Sequence, residues 1–188
     1  MSARYGIQLA GEGGQGVVLA AIILAEAAAM YDGKHAAQSA SYGPEARGGL
    51  TKSELVISDE EIDYPRVVEA DLLLAMNQDA CDRYLPMLKV DGILLVDSVN
   101  VERVPDARAR SLPITRIAEE VTGRAVTANV VAVGVIVALS GAVSPGAVEK
   151  VVAARAPKGT AELNLKALHA GMNALPQISQ ITQIKKSL

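Results

Sequence analysis

The stretch that decides the fold runs Tyr5-Gly-Ile-Gln-Leu-Ala-Gly-Glu-Gly-Gly-Gln-Gly16 and continues into the apolar run Val17–Met30. Its first six residues are mostly apolar and favour a β-strand, its glycines predict a tight turn, and the alanine-rich run is long enough for a helix. Glu26 is the only charged residue of that run, so most of the helix surface is expected to be buried. A strand, a glycine turn and a helix in this order are typical of the first unit of a parallel α/β sheet.

Short apolar runs alternate with helical segments along the rest of the chain. Strands are predicted at residues 35–41, 50–57, 70–76 and 93–97, the last after a turn at Asp91-Gly92, with a short edge strand at 112–114. Helices are predicted from Asn77 or Asp79 toward Leu85, at 115–122 with a stop at Gly123, at 129–139, from Ser144 with Pro145 first, and at 161–174. This alternation predicts an α/β fold: a single Rossmann-like domain over residues 1–175, with a mostly parallel sheet flanked by helices, and a C-terminal tail over 176–188.

The composition of the 188 residues excludes several classes of protein. Hydrophobic residues make up 50% and charged residues 21%, which is typical of one compact domain rather than a disordered chain. The net charge is −3 and the chain contains neither Phe nor Trp, so no nucleic-acid partner is predicted. Cys81 is the only cysteine and there are two histidines, so this chain by itself holds no disulfide, four-cysteine zinc site or iron–sulfur cluster.

Two apolar runs raise the question of a membrane span. Residues 17–30 contain Glu26, and residues 125–139 are interrupted by two polar side chains and a glycine. Both runs are shorter than the roughly 18 to 20 apolar residues that a spanning helix needs, so we expect helices buried inside the protein. The amino-terminal residues also lack a signal-peptide pattern, and the sequence therefore predicts a cytoplasmic protein without a membrane contact.

The glycine-rich turn matches the pattern G-x-G-x-x-G through Gly11, Gly13 and Gly16. Such a turn lets the backbone approach a phosphate closely, and free N–H groups at the start of the next helix bind anions. Neither standard nucleotide motif is complete. Val17 and Val18 stand where a phosphate loop has Lys and Ser or Thr, and no acid ends the second predicted strand as a dinucleotide site requires. The turn is therefore either an anion-binding loop or a tight connection without a ligand.

A second glycine-rich segment reads Ser41-Tyr-Gly-Pro-Glu-Ala-Arg-Gly-Gly49 and is predicted to be a loop from Tyr42 onward. The planar guanidinium of Arg47 suits a phosphate or a carboxylate, which it binds through two parallel hydrogen bonds. The alternatives are a surface loop with an internal Glu45–Arg47 pair, or a loop buried against another chain. The residue types alone do not separate these interpretations.

The remaining polar residues show no catalytic arrangement. His35, His169 and Cys81 form no recognisable triad and are expected to be structural. The acidic residues of the segment 59–63 are expected to form a solvated face. Asn129 heads an apolar run, where we expect it to cap a helix; the alternative is a polar group aimed at a site.

Three motifs taken together resemble a known family. These are Gly11-Glu-Gly-Gly-Gln-Gly-Val-Val18 after the first strand, the Ser41 to Gly49 segment, and Ser53-Glu-Leu-Val-Ile-Ser-Asp-Glu-Glu-Ile-Asp-Tyr-Pro65. They resemble the gamma subunit of 2-oxoacid:ferredoxin oxidoreductases over residues 6–141, with Asn129 to Gly134 similar to the family's internal Asn-x-x-x-x-Gly segment. The second motif is most similar to the 2-oxoglutarate branch.

The resemblance implies a chemistry in which this chain is one of several subunits. In the family, thiamine diphosphate attacks the keto carbon of a 2-oxoacid, carbon dioxide leaves, electrons pass to ferredoxin and coenzyme A takes the acyl group. The gamma-type domain is implicated in holding coenzyme A near the thiamine site and in closing the complex. This chain lacks the Gly-Asp-Gly start of a thiamine diphosphate motif. The resemblance therefore implies that thiamine diphosphate and the iron–sulfur clusters lie on partner chains, which include alpha- and beta-type subunits.

From these arguments we expect this chain to contact coenzyme A and to contain no catalytic or metal-ligating residue. The backbone amides of residues 13–16 suit the pyrophosphate, and Arg47 or Lys52 suits a phosphate. The candidate binding residues are Gly11, Gly13, Gly14, Gln15, Gly16, Ser41, Tyr42, Gly43, Arg47, Gly48, Gly49 and Asn129. The alternatives are a pyruvate, branched-chain oxoacid or indolepyruvate member of the same family, an independent nucleotide-binding oxidoreductase, and a scaffold whose glycine loops pack only against partners.

Overall fold

The computed structural model describes residues 4–43, 49–104, 106 and 109–175. The strands are β1 (Arg4–Glu12), β2 (His35–Tyr42), β3 (Leu50–Ser58), β4 (Ala70–Ala75), β5 (Leu88–Asp97) and β6 (Arg110–Leu112). The helices are α1 (Val17–Met30), α2 (Gln78–Tyr84), α3 (Ile114–Thr122), α4 (Ala128–Ser140), α5 (Pro145–Arg155) and α6 (Ala161–Met172). The tail predicted over residues 176–188 lies outside the described residues.

The six strands form one mixed sheet in the order β2-β3-β1-β4-β5-β6. Four of them, β1, β4, β5 and β6, are parallel, while β3 lies antiparallel between β1 and β2. The predicted α/β fold with a mostly parallel sheet is therefore confirmed. The single reversed strand was not predicted. It arises because the short glycine-rich connection between β2 and β3 has no room for a crossover helix, so the two strands pair as neighbours.

Helices cover the two faces of the sheet unequally. Of the helices in the described residues, five pack on one face, around a core that includes Ile7, Leu24 and Val131. On the opposite face lies α2, over a smaller cluster that includes Leu73 and Cys81. Every residue of α4 from Ala128 to Val137 is buried, which confirms the expectation of a helix enclosed inside the protein. Within the described ranges, no helix is long and apolar enough to cross a membrane.

Local sequence signals place several helix ends correctly. Of the two predicted caps for α2, the structure uses Asn77, whose Oδ1 accepts a hydrogen bond from the N–H of Ala80 at 2.9 Å. At the start of α5, Ser144 Oγ accepts from the N–H of Ala147 at 3.3 Å, and Pro145 occupies the first helical position. These caps satisfy backbone donors that have no partner inside the helix. The predicted bounds of α1 are also confirmed.

The predicted turn at Asp91-Gly92 is wrong. β5 continues without interruption from Leu88 to Asp97. Its register with β4 shifts between two pairs, Ala70 with Leu88 and Leu72 with Ile93, so the two turn-favouring residues lie inside an irregular stretch of the strand. Strand pairing can accommodate such extra residues as a bulge, which composition alone does not distinguish from a turn.

Candidate functional site

The carboxyl ends of β1 and β4 form the point where the chain leaves the sheet in opposite directions. β1 leads through α1 to β2 on one side, and its neighbour β4 leads through α2 to β5 on the other side. The two helices pack on opposite faces of the sheet. The connecting loops therefore diverge and leave a crevice between them, the place where open α/β sheets bind ligands.

A cleft of about 240 Å³ opens at this point. Its lining comes from the segments that follow β1, β4 and β5, from the first turn of α3 after β6, and from the start of α4, so residues distant in the sequence meet in one place. The lining residues are Gly14, Gln15, Met76, Asn100, Thr115, Ala125, Val126 and Ala128. None of these side chains carries a charge, and most of the lining is apolar.

The glycine-rich turn offers fewer free backbone donors to a ligand than the sequence predicts. The N–H of Gly13 donates to the carbonyl oxygen of Gly49 at 2.9 Å, and the N–H of Gln15 donates to that of Glu12 at 3.1 Å. These two amides are therefore engaged within the protein. The N–H groups of Gly14 and Gly16 make no hydrogen bond among the described residues, and they lie immediately before α1, whose first turn has no side-chain cap.

Gly16 is held against Asn129, which joins the glycine turn to α4. Gly16 has a φ of +74°, and a Cβ at this position would lie 2.6 Å from Nδ2 of Asn129. Asn129 is 7% exposed, and its Nδ2 lies 3.5 Å from the carbonyl oxygen of Gly16. The expectation that Asn129 caps the helix is wrong, because Thr127 occupies the cap position and Asn129 lies inside the first turn of α4. Asn129 therefore packs against the glycine turn at Gly16.

Gln15 lines the cleft, but its amide group is used to hold the turn together. Its Oε1 accepts from the N–H of Glu12 at 2.6 Å, and its Nε2 donates to the carbonyl oxygen of Met76 at 3.1 Å. The side chain therefore ties the end of β1 to the end of β4 across the crevice. Gly11 and Glu12 themselves belong to β1 and pair with β3.

The second glycine-rich segment lies next to the first. Ser41 and Tyr42 end β2, the N–H of Gly43 donates to the carbonyl oxygen of Leu50 at 2.8 Å, and Gly49 accepts the bond from Gly13. Tyr42 is 71% exposed. Arg47 and Gly48, together with Glu45, lie outside the described residues. The fold thus brings the ends of the two predicted loops together at the carboxyl edge of the sheet.

Asp97 was not among the predicted site residues. It fixes the positions of two residues that line the cleft, Asn100 and Thr115. It ends β5, is fully buried, and accepts hydrogen bonds from Asn100 Nδ2 at 2.8 Å and from Thr115 Oγ1 at 2.5 Å. The N–H groups of Val99 and Thr115 also donate to the Asp97 carboxylate, at 3.2 and 3.3 Å. The available signal was a carboxylate directly after the apolar run Ile93-Leu-Leu-Val96, where the strand meets the carboxyl edge.

Lys52 is not among the residues that line the cleft. Its Nζ lies 3.1 Å from Oε1 of Glu54 and 5.6 Å from the centre of the Tyr84 ring. Glu54 is 4% exposed and also pairs with Arg66, whose Nε is 3.0 Å from Oε2. Lys52 is thus mostly buried in an ion cluster on the sheet, where the Glu54 carboxylate balances its charge, while Arg66 of the same cluster is half exposed.

Cys81 and His169 are not among the described residues that line the cleft. Cys81 is fully buried beside the sheet, and burial raises the pKa of its thiol, to which the charge of Asp82 adds. A thiol held protonated in this way is a poor nucleophile. His169 Nε2 lies 2.8 Å from Oε1 of Glu149 on the helical layer. In the part of the chain that the structure describes, no three His, Cys, Asp or Glu side chains cluster as a metal site would require.

Comparison with known proteins identifies the family. Residues 6–174 match the family described as pyruvate ferredoxin/flavodoxin oxidoreductase. The 2-oxoglutarate synthase subunit KorC of Methanocaldococcus jannaschii is 44% identical over 179 residues, which cover 93% of this chain and 96% of that subunit. The pyruvate synthase subunit PorC of the same organism is 31% identical over 178 residues, which cover 90% of this chain and 96% of that subunit.

Solved structures agree with this assignment. The gamma subunit of a keto/oxoacid ferredoxin oxidoreductase from Geobacter sulfurreducens matches with a TM-score of 0.84 and 47% identity, over 92% of this chain and 97% of that one. A 2-oxoglutarate:ferredoxin oxidoreductase from Magnetococcus marinus matches with a TM-score of 0.81 and 22% identity, over 92% of this chain and 31% of that one. The second likeness concerns the fold alone. The motif resemblance is therefore confirmed: the chain belongs to the pyruvate ferredoxin/flavodoxin oxidoreductase family, as a gamma-type subunit of a multi-subunit 2-oxoacid:ferredoxin oxidoreductase.

Proposed function

We propose that this subunit serves a 2-oxoglutarate:ferredoxin oxidoreductase and that its cleft holds part of coenzyme A. In that reaction 2-oxoglutarate loses carbon dioxide, its electrons pass to ferredoxin, and the thiol of coenzyme A takes the succinyl group. Thiamine diphosphate and the iron–sulfur clusters belong, in this proposal, to partner subunits in the cytoplasm. The choice of oxoacid is supported by the 44% identity to a 2-oxoglutarate synthase subunit, against 31% to a pyruvate synthase subunit of the same organism.

The observation that carries the proposal is the pair of backbone donors at Gly14 and Gly16. Neither N–H is used among the described residues, and both precede the uncapped start of α1. Backbone donors at a helix start favour negative charge, because the helix dipole adds to the hydrogen bonds. A pyrophosphate is an anion of this kind.

The size of the cleft fits a shared binding site. Pockets that enclose a drug-sized ligand have volumes of about 300 to 1,000 Å³. The cleft, at about 240 Å³, is smaller. It accommodates a part of coenzyme A, and a partner subunit would cover the remainder. The Magnetococcus marinus enzyme has a longer chain, and part of that chain has the fold of this subunit. Its structure was solved with 2-oxoglutarate, coenzyme A and succinyl-CoA bound, which is in line with the proposal.

The test is Gly14→Val in the assembled complex. A Cβ at Gly14 meets no atom within 4 Å, and Gly14 lines the cleft, so the new side chain would occupy open space at the cleft. We expect the Michaelis constant for coenzyme A to rise about tenfold or more, which corresponds to about 1.4 kcal/mol of binding. Gly159→Val is the matched control, because Gly159 also has a positive φ, of +81°, and open space around it. Unchanged coenzyme A kinetics in an intact Gly14→Val complex would overturn the proposal.

A further inference from the structure

Asn100 and Thr115 form one side of the cleft, called the acceptor wall below. Their side chains have fixed orientations because both donate hydrogen bonds to Asp97. The carboxylate of Asp97 is an acceptor only, so the Asn100 side chain must turn its amide nitrogen, and not its oxygen, toward it. That nitrogen donates to Asp97 at 2.8 Å and to Thr115 Oγ1 at 3.3 Å, which uses both of its hydrogens. The Thr115 hydroxyl gives its only hydrogen to Asp97.

Two acceptors are left over on this wall. Asn100 Oδ1 makes no hydrogen bond with any described residue, and Thr115 Oγ1 keeps acceptor capacity. Asn100 is exposed, whereas Asp97 behind it is fully buried. An acceptor wall repels phosphate oxygens and attracts N–H groups. The wall is therefore complementary to a ligand that donates N–H hydrogen bonds, and it differs in this respect from the free amides of Gly14 and Gly16.

The other lining residues restrict the ligand further. Met76, Ala125, Val126 and Ala128 supply an apolar surface beside Asn100 and Thr115, and the lining residues that the structure describes include neither a charged side chain nor an aromatic ring. A ligand segment that matches must be uncharged, partly aliphatic and equipped with N–H donors. The pantetheine arm of coenzyme A has this chemistry, since its hydrocarbon chain is interrupted by amide groups. The arm is also attached directly to the pyrophosphate.

We propose that the cleft takes the pantetheine arm of coenzyme A, that Asn100 and Thr115 accept hydrogen bonds from its amide N–H groups, and that Asp97 is the positioning residue that keeps both acceptors turned toward it. This inference rests on the proposed function, because it names the part of coenzyme A that the subunit binds. Asp97 touches no ligand in this arrangement. It acts through the orientation of its two neighbours.

The test compares Asn100→Ala, Asp97→Asn and Thr115→Val in the assembled complex, with 3′,5′-ADP and pantetheine as competing fragments of coenzyme A. Each substitution removes or misaligns an acceptor, so we expect the Michaelis constant for coenzyme A and the inhibition constant of pantetheine to rise several-fold, up to about tenfold. Inhibition by 3′,5′-ADP and kcat at saturating coenzyme A should stay unchanged. Thr115→Ser keeps the hydroxyl and should behave like the wild type.

Two controls separate positioning from loss of folding. Asp71→Asn makes the same chemical change at the opposite end of the sheet, where Asp71 accepts from the N–H of Gly6 at 2.7 Å and pairs with Lys89 at 2.6 Å, and it should leave coenzyme A kinetics unchanged. Asn100 is exposed, so Asn100→Ala keeps the test decisive if Asp97→Asn fails to fold. Unchanged coenzyme A kinetics in Asn100→Ala, or weaker inhibition by 3′,5′-ADP with pantetheine unaffected, would overturn the inference. If Gly14→Val nevertheless raises the Michaelis constant, the proposed function stands and only the pantetheine assignment fails.

Discussion

The backbone N–H of Gly13 donates a hydrogen bond to the carbonyl oxygen of Gly49 at 2.9 Å. This bond joins the two glycine-rich segments, which are far apart in the sequence. It continues the ladder between β1 and β3, in which Glu12 pairs with Leu50. The amide of Gly13 is consequently not available to a ligand, and the end of the second segment is held at the border of the ligand-binding turn.

Gly16→Ala is expected to destabilise the protein through two effects that can be separated. A positive φ costs a residue with a side chain about 1 to 2 kcal/mol, and a new methyl group forced against Asn129 adds about 1 kcal/mol or more. The overlap is evident from the 2.6 Å that would separate the new Cβ from Asn129 Nδ2. Urea denaturation should therefore show a loss of about 2 to 3 kcal/mol in the free energy of unfolding.

The control for this prediction is Gly159→Ala, which has a φ of +81° and no neighbouring atom within 4 Å. It should show only the cost of the backbone conformation. Asn129→Gly removes the overlap at its own cost as a glycine inside a helix, so Gly16→Ala should cost less stability in the Asn129→Gly background than in the wild type. Equal losses for the two single substitutions would contradict the role given to Asn129.

Glu54→Gln is expected to be costly because the buried Glu54 carboxylate neutralises the mostly buried Lys52, beside the half-exposed Arg66. Lys52 and Arg66 lie 3.1 and 3.0 Å from its carboxylate, and Lys52 is only 14% exposed. Removing the charge from one partner leaves another partly buried charge uncompensated, which typically costs about 3 kcal/mol. The free energy of unfolding in urea measures this loss.

The exposed pair of Asp82 and Arg103, at 3.1 Å, provides the comparison. Ion pairs in contact with water contribute little, because solvent screens them, and Asp82→Asn should lower the free energy of unfolding by less than about 1 kcal/mol. A Glu54→Gln variant that loses no more stability than Asp82→Asn would show that the Lys52–Glu54–Arg66 cluster is effectively solvated.

The pair of Glu26 and Arg155 predicts a dependence of stability on pH. The guanidinium of Arg155 donates to both carboxylate oxygens and lowers the pKa of Glu26 from its ordinary value of 4.5, an effect partly offset by burial. A lowered folded-state pKa gives stability that is present above the unfolded pKa and is lost as the pH falls through the folded pKa. Glu26→Gln should therefore cost about 0.5 kcal/mol near neutral pH, a value typical of a solvent-accessible pair.

Urea titrations of Glu26→Gln and the wild type at several pH values test this dependence. The difference between the two proteins should shrink as the pH falls below 4.5, because the wild-type carboxylate becomes protonated and its pair with Arg155 is lost. A constant difference over the whole acid range would mean that the substitution acts through packing rather than through charge.

Local patterns predicted most of the elements correctly because their causes are local. The apolar run 130–137 within α4 requires burial on most sides of the helix. The Ser144-Pro145 start of α5 satisfies helix donors wherever that helix lies. The turn predicted at Asp91-Gly92 is wrong because the same residue types favour both a turn and a bulge. The cap predicted at Asn129 is wrong because the sequence does not fix the residue at which α4 begins, and the cap residue depends on that start.

The amino-acid sequence by itself determined the class of fold, the position of the glycine turn and the membership of the family, since each follows from residue order over short distances. Only the tertiary structure decided which backbone donors remain free. The N–H groups of Gly13 and Gln15 donate to Gly49 and Glu12, while those of Gly14 and Gly16 have no partner among the residues that the structure describes. The tertiary structure also decided that Asn100 and Thr115 meet at Asp97. Hydrogen bonds between separate connections depend on how the strands are ordered in the sheet, and strand order is set by the packing of the whole chain.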